Sequence, residues 1–401
     1  MSVYWNQRVM DLVPYVPGEQ PKNLKFSGRK LIKLNTNENP YPPSPLVIEA
    51  IQKAAGETLR LYPDPACTEL REAAAARYGI KRGQVFAGNG SDEILAFVFA
   101  AFFGAAQKAA QKAGEGGGVS GGETSLGETN SAAGDAGVDS VLLFPDITYS
   151  FYPVYADLWD IPYRTVPLKP DFSMDINAYL DRSGGIIFPN PNAPTGMAIP
   201  FDAVRKIAEA AEKNKRVLVV DEAYIAFADG EGIASALPLI DEFPNLLIVR
   251  TLSKEASLAG LRVGFALGAE DLIEGLCRIR DSFNSYTLDR LAQAGATAAI
   301  RDVSYYDGIN RRVIATRRRL SLGLDALGFR VLPSQTNFLF AAPPAESGKS
   351  GQEFFAALRE RGILVRHFNK PRIADFLRIS MGTDEDMDIF LEVCGEILHD
   401  A

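Results

Sequence analysis

Residues 246–265 read Leu-Leu-Ile-Val-Arg-Thr-Leu-Ser-Lys-Glu-Ala-Ser-Leu-Ala-Gly-Leu-Arg-Val-Gly-Phe. Leu246 to Val249 is a short aliphatic, β-branched run, the pattern of a buried strand. Such a strand delivers Ser253 and Lys254 at its carboxyl end, where open α/β sheets place their ligands. A lysine amine with the ordinary pKa of about 10.4 is protonated at neutral pH, so chemistry there needs a depressed pKa or a covalent bond to a carbonyl. Arg262, eight residues on, carries a planar fork suited to a phosphate. Together Ser253, Lys254 and Arg262 suit a phosphorylated aldehyde, and pyridoxal 5'-phosphate (PLP) fits that description. Alone, Lys254 reads more readily as a surface lysine after a strand, so the case depends on the rest of the chain.

The 401 residues are enough for a large core and two or three domains. A hydrophobic share of 47% with 23% charged residues is globular composition. The net charge of −8 speaks against a nucleic-acid protein or a basic membrane binder. Cys67, Cys277 and Cys394 lie far apart with no C-x-x-C, as expected of a reduced cytoplasmic protein. His367 and His399 are the only histidines, which gives little support to a histidine metal site or a Ser-His-Asp triad, so no metal is expected. The first eight residues lack the apolar core of a signal peptide, and the apolar stretch 94–106 is too short to cross a bilayer; it reads as a buried helix.

Strand patterns recur with chemistry at their ends. Phe86-Ala87-Gly88-Asn89-Gly90-Ser91-Asp92-Glu93 is a glycine-rich turn opening a helix, where unpaired N–H groups and the dipole favour an anion; Asn89, Gly90, Ser91 and Asp92 are the candidate contacts. Val217 to Val220 is a continuous apolar strand ending in Asp221-Glu222-Ala223-Tyr224. A carboxylate buried at such a strand end is costly unless paired, and a protonated pyridine nitrogen is the partner that PLP chemistry requires. An N-cap for the next helix is the plainer role for Asp221. The Arg-rich run 311–319 reads as a solvated helix face. Residues 104–139, rich in Gly, Ser, Thr, Ala and Glu, read as a flexible low-complexity insertion.

Thr251-Leu252-Ser253-Lys254 followed by Ala259-Gly260-Leu261-Arg262-Val263-Gly264 resembles the lysine segment of fold-type I, class II PLP-dependent aminotransferases, and is most similar to the histidinol-phosphate aminotransferase branch. Val13-Pro14-Tyr15-Val16-Pro17-Gly18 and the run from Val365 to Ile373 look like that branch too, so the resemblance covers nearly the whole chain apart from the insertion. It implies an α/β fold: a three-layer α/β/α large domain with a mostly parallel sheet, at 36–285, and a small α+β domain at 286–401 joined by an arm, 1–35.

The resemblance further implies that Lys254 bonds the cofactor aldehyde, Asp221 meets its ring nitrogen, and Tyr224 reaches its ring hydroxyl. Tyr149 would stack on the ring; Ser253 and Arg262 would hold the phosphate with the Asn89–Asp92 turn. Tyr62 would reach the cofactor phosphate of the other subunit in a homodimer. Asn37, from the Asn-Glu-Asn-Pro loop, and Tyr15, Arg366 and Arg378 would bind the substrate. In one place the chain departs from the pattern. The family often has asparagine directly before Pro-Thr-Gly, hydrogen-bonding the ring hydroxyl; here Ala193 stands there, and Asn192 is the substitute donor expected. The activity implied is transfer of the amino group of L-histidinol phosphate to 2-oxoglutarate, giving imidazole-acetol phosphate and glutamate in histidine biosynthesis. The same set of residues would also serve an aromatic amino acid aminotransferase or a lyase resembling threonine-phosphate decarboxylase. A non-catalytic PLP-binding regulator is less supported, since no basic patch or DNA-binding extension is visible.

Overall fold

The computed structural model of the protein describes residues 4–15, 31–103, 141–181 and 183–400; the expected insertion at 104–139 and residues 16–30 of the arm lie outside them. The arm ends in strand β1 (Ile32–Lys33). Strands β2 (Val85–Gly88), β3 (Leu142–Pro145), β4 (Tyr163–Val166), β5 (Gly185–Pro189), β6 (Leu218–Asp221), β7 (Leu246–Thr251) and β8 (Gly264–Gly268) form one sheet in the order β2-β8-β7-β6-β5-β3-β4. β8 runs antiparallel to β2 and β7; the other neighbours are parallel.

Every residue of β2, β3, β5, β6 and β8 is buried, because helices cover both faces. The two-residue strand period sorts the side chains. Leu218, Val220, Leu246 and Ile248 pack with Val47, Leu70, Val204 and Ala296, from helices Pro45–Ala54, Thr68–Tyr78, Phe201–Lys213 and Arg290–Arg301. Val219, Leu247 and Val249 point the other way, onto Ile94, Tyr152 and Ile273 of helices Gly90–Val98, Phe151–Leu158 and Glu270–Phe283. Asp221 continues the odd-numbered set and so faces Tyr152. The helix over 201–213 starts after Pro200, with no side-chain cap.

A smaller antiparallel sheet follows from β9 (Arg330–Val331), β10 (Phe338–Ala342), β12 (Arg366–His367) and β13 (Leu377–Ser380), in the order β12-β13-β10-β9; β11 (Ile363–Leu364) pairs with β1 instead. The arm is thereby stitched to the C-terminal unit. Helix Val303–Ala326 packs against the C-terminal helix Asp384–His399, which a Thr383–Asp386 capping box begins. Arg311, Arg312, Arg318 and Arg319 lie on the exposed face expected at 311–319, and Arg317 is the exception. Val313, Arg317, Leu320 and Leu324 share one buried stripe at helical spacing. The Arg317 guanidinium donates to Phe227 O (2.8 Å), Thr336 O (2.7 Å) and the Asp229 carboxylate (2.5 Å), and Arg312 lies 4.1 Å over the Tyr41 ring. No described helix is long and apolar enough to cross a membrane.

Candidate active site

The parallel strands β6 and β7 end side by side, Asp221 in register with Val249, so their carboxyl ends present Asp221 and Lys254 to one cavity. Thr251 closes β7 and caps the one-turn helix Leu252–Glu255, its hydroxyl accepting from Ser253 N at 3.1 Å and donating to Ser253 Oγ at 3.0 Å. Lys254 Nζ crosses the cavity and donates to Thr36 O at 3.2 Å. Burial first, then the positive charge of Arg378, lowers the amine pKa to about 8. The free base that a nucleophilic or proton-moving lysine needs is therefore accessible near neutral pH.

Ser91, Asp92, Tyr149, Asp221, Ser253 and Lys254 line the cavity with Ala193, Tyr224, Thr251 and Arg262. One end is built for an anion. Gly90 opens helix Gly90–Val98 at φ +77°, and a Cβ there would sit 2.6 Å from Arg262 Nη2. A Cβ on Gly264 would meet Ser91 N at 2.8 Å. Arg262 donates to Asp92 Oδ2 at 2.8 Å, which holds the fork beside the free N–H groups of the helix start. Asn89 stands apart from its neighbours: its amide donates to Thr287 O at 3.3 Å and it does not line the cavity.

The other end is built for a cation on a flat group. Asp221 is buried; Oδ1 accepts from Ala223 N at 3.2 Å and Oδ2 from Tyr152 OH at 3.1 Å. Burial outweighs both bonds and pushes its carboxyl up to about 7. The Tyr149 hydroxyl donates to Asp92 Oδ1 at 2.6 Å, fixing its ring over the cavity. Tyr224 OH accepts from Asn37 Nδ2 at 2.9 Å, and Ser380 Oγ in turn donates to Asn37 Oδ1 at 2.8 Å.

Asn192 departs from the expected role of ring-hydroxyl donor. Its amide nitrogen donates to Ile147 O (3.0 Å) after β3 and to Thr195 Oγ1 (2.9 Å) in its own loop, and Ala193 lines the cavity instead. Sequence reading also missed Tyr152, one helical turn beyond Tyr149 in a run dense with aromatics, and Thr251, whose place at the end of β7 was the available signal.

Arg366 and Arg378 are direct partners across β12 and β13. Like charges directly opposite in a sheet repel. Both guanidinium carbons lie 5.6 Å from the centroid of one ring, Phe368, which draws the two forks together. Arg378 Nη2 donates to Asn35 O at 2.9 Å, while its buried Nε has no partner among the described residues. Tyr15 packs its ring 4.3 Å from Phe151, itself 5.7 Å from Tyr149. Tyr62 is elsewhere: it is 78% exposed and stacks on Tyr286 at 4.6 Å.

A larger cleft lies behind the Lys254 segment, lined by Arg77, Tyr78, Arg250, Glu255 and Asn310 among others. Arg250 there is already committed to Glu222 at 2.9 Å, and the cleft contains none of the site residues picked from sequence. Most of the cofactor-binding residues picked from sequence gather at the smaller cavity. Among the described residues no group of His, Cys, Asp and Glu could hold a metal ion.

Comparison with known proteins agrees with this geometry. The family profile "Aminotransferase class I and II" matches residues 29–111 and 100–393. A histidinol-phosphate aminotransferase of Clostridium acetobutylicum is 47% identical over 398 residues, covering 99% of this chain and 100% of the relative. Histidinol-phosphate aminotransferase 1 of Bordetella parapertussis is 50% identical over 400 residues, covering 99% of each. Among solved structures, histidinol-phosphate aminotransferase from Sinorhizobium meliloti in complex with pyridoxal-5'-phosphate superposes with a TM-score of 0.80 at 23% identity, covering 100% of this chain and 99% of that one. An aspartate aminotransferase variant of Thermus thermophilus superposes at 0.76 with 18% identity, over 99% of this chain and 100% of that one. At that distance the structures speak to the fold alone: α/β, of fold-type I. The sequence relatives go further, and the chain belongs to the class I and II aminotransferases, within the histidinol-phosphate aminotransferase family.

Proposed function

We propose that this chain holds PLP in the cavity over Lys254 and transfers the amino group of L-histidinol phosphate to 2-oxoglutarate. The observation that carries the substrate is the facing pair Arg366 and Arg378, with Arg378 close enough to lower the Lys254 pKa. Two forks facing one another and close to the reactive amine suit the phosphate of a small phosphorylated amine better than an aromatic ring. Tyr15 closes that pocket. The cavity fits the cofactor: a cradle that a Cβ on Gly90 would fill suits its phosphate, and a buried carboxylate lacking a cation suits its ring nitrogen.

PLP, when bound, supplies an electron-accepting ring. The residues do the rest. Ser91, Ser253 and Arg262 bind the cofactor phosphate, with Asn89, Gly90 and Asp92 shaping the turn. Tyr149 covers one face of the ring, Asp221 keeps its nitrogen protonated, and Tyr224, held by Asn37, donates to its hydroxyl. With PLP held there, Lys254 Nζ would be the group placed to take the proton from the substrate carbon as general base and to hold it for return. The protein works in the cytoplasm as a homodimer. Its large unit, 36–285, holds the cofactor; the arm 1–35 and the unit 286–401 supply the substrate arginines and Tyr15. The exposed cluster of Leu59, Leu61, Tyr62, Phe283 and Tyr286 supports the dimer, with Tyr62 reaching the partner's site.

The test is steady-state turnover with histidinol phosphate and 2-oxoglutarate. Parallel double-reciprocal lines, one glutamate per donor consumed and no carbon dioxide are expected. In a parallel assay with threonine phosphate as donor, carbon dioxide release without glutamate would turn the assignment to a lyase.

A further inference from the structure

Lys254 sits on a helix of a single turn, Leu252–Glu255, too short to hold its own geometry. The last carbonyls of such a turn lack helical partners. Two asparagines from distant parts of the chain satisfy them. Asn39 Nδ2 donates to Lys254 O at 3.1 Å, and Asn310 Nδ2 donates to Glu255 O at 3.1 Å. The two amides also meet each other, Asn39 Nδ2 donating to Asn310 Oδ1 at 3.3 Å. Asn310 is buried in the middle of helix Val303–Ala326, where asparagine is a poor choice for helix stability, so its side chain has another task. Asn39 belongs to the loop whose Thr36 carbonyl receives Lys254 Nζ. One short loop therefore grips the lysine at both ends, and Asn310 braces that grip from the long helix.

We infer that Asn39 and Asn310 act as one amide clamp, a pair of positioning residues that fixes the Lys254 backbone so that its amine reaches the reacting carbon. The inference rests on the proposed transamination for its kinetic readout, but not for its chemical one. A lysine has four side-chain torsions, and its aim is set first by its backbone; a misplacement of about 1 Å costs on the order of a hundredfold in rate. Loosening the clamp also lets the amine relax toward solvent, and its protonation then returns toward the ordinary lysine value.

The experiment uses the full-length chain in two forms. In the cofactor-free form, Lys254 is acetylated with acetic anhydride across pH 6–11, roughly spanning the free and depressed lysine values, and read by mass spectrometry. In the PLP form, kcat, KM and the isotope effect with α-deuterated histidinol phosphate are measured. Asn310→Leu should raise the labelling midpoint by about one pH unit, lower kcat roughly tenfold with KM within about twofold, and raise the isotope effect. Asn39→Ala should act in the same direction, and the double variant should be no worse than the weaker single one, as for residues acting as a unit. An unchanged midpoint and isotope effect in Asn310→Leu, or additive losses, would overturn the clamp. If Asn310→Leu does not fold, Asn39→Ala, in a loop, decides alone on the same readouts. Should the wild type fail to transaminate, the labelling midpoints still decide the clamp, while the functional reading fails by itself.

Discussion

Replacing Asp221 with asparagine separates what this carboxylate does to the fold from what it does for the cofactor. In the cofactor-free protein Asp221 is a buried carboxyl whose pKa is raised from 3.8 to about 7. The sign follows from linkage. Below 3.8 the group is protonated in both folded and unfolded chains and affects stability little. Between 3.8 and about 7 the unfolded chain releases the proton while the folded one keeps it, so stability falls as pH rises, and above 7 the loss is complete. That gap corresponds to about 4 kcal/mol at most. Asparagine keeps the shape but has one acceptor oxygen for two donors, Ala223 N and Tyr152 OH, which returns about 1 kcal/mol. Urea unfolding of cofactor-free Asp221→Asn at fixed protomer concentration should thus show it roughly 2–3 kcal/mol more stable than wild type at pH 8, the difference shrinking toward pH 4. Adding PLP should reverse the order, because only the carboxylate pairs with a ring cation. A difference independent of pH, or a variant less stable at pH 8 without cofactor, would refute the view that Asp221 is held in readiness for a cation.

Other substitutions probe the remaining parts. Arg378→Lys loses the planar fork facing Arg366 and should raise KM for histidinol phosphate by about 10–100-fold, with a far smaller effect on phenylalanine, measured by steady-state kinetics. Gly90→Ala places a Cβ 2.6 Å from Arg262 Nη2 at φ +77°, so PLP affinity, read by fluorescence titration, should fall by about 1–3 kcal/mol. Arg317→Met leaves Phe227 O and Thr336 O without their donor while Asp229 keeps Arg318; denaturant unfolding should show a loss of about 2–4 kcal/mol.

The large sheet was legible because its strands are buried on both faces and read as unbroken apolar runs, and because chemistry in such sheets gathers at strand ends. Lys254 and Asp221 stand out for that reason: each follows directly on a strand that can be read without any side-chain detail. What escaped depends on packing between segments far apart in sequence. Asn192 was misread because only the folded loop reveals that Ile147 O and Thr195 Oγ1 consume its hydrogens. Tyr152 is one of several tyrosines in its run, and only the two-residue register of β6 tells that Asp221 faces it. Arg317 is hidden among exposed arginines, and the stripe that buries it emerges only once the helix phase is fixed by its apolar neighbours. Asn310 lies in the same helix and carried no signal, since its partners Asn39 and Glu255 are contributed by other elements.

The central claim, that a phosphorylated amine is the donor, is met most directly by a single-turnover half-reaction. The purified PLP form is mixed with histidinol phosphate in the absence of any keto acid, beside parallel mixtures with threonine phosphate and phenylalanine, and the cofactor absorbance is followed by stopped flow. Rapid, complete conversion to the pyridoxamine form with histidinol phosphate, and slow or no conversion with the other two, is the predicted result. Faster conversion by phenylalanine, or none by histidinol phosphate, would contradict it and leave Arg366 and Arg378 without their assigned anion.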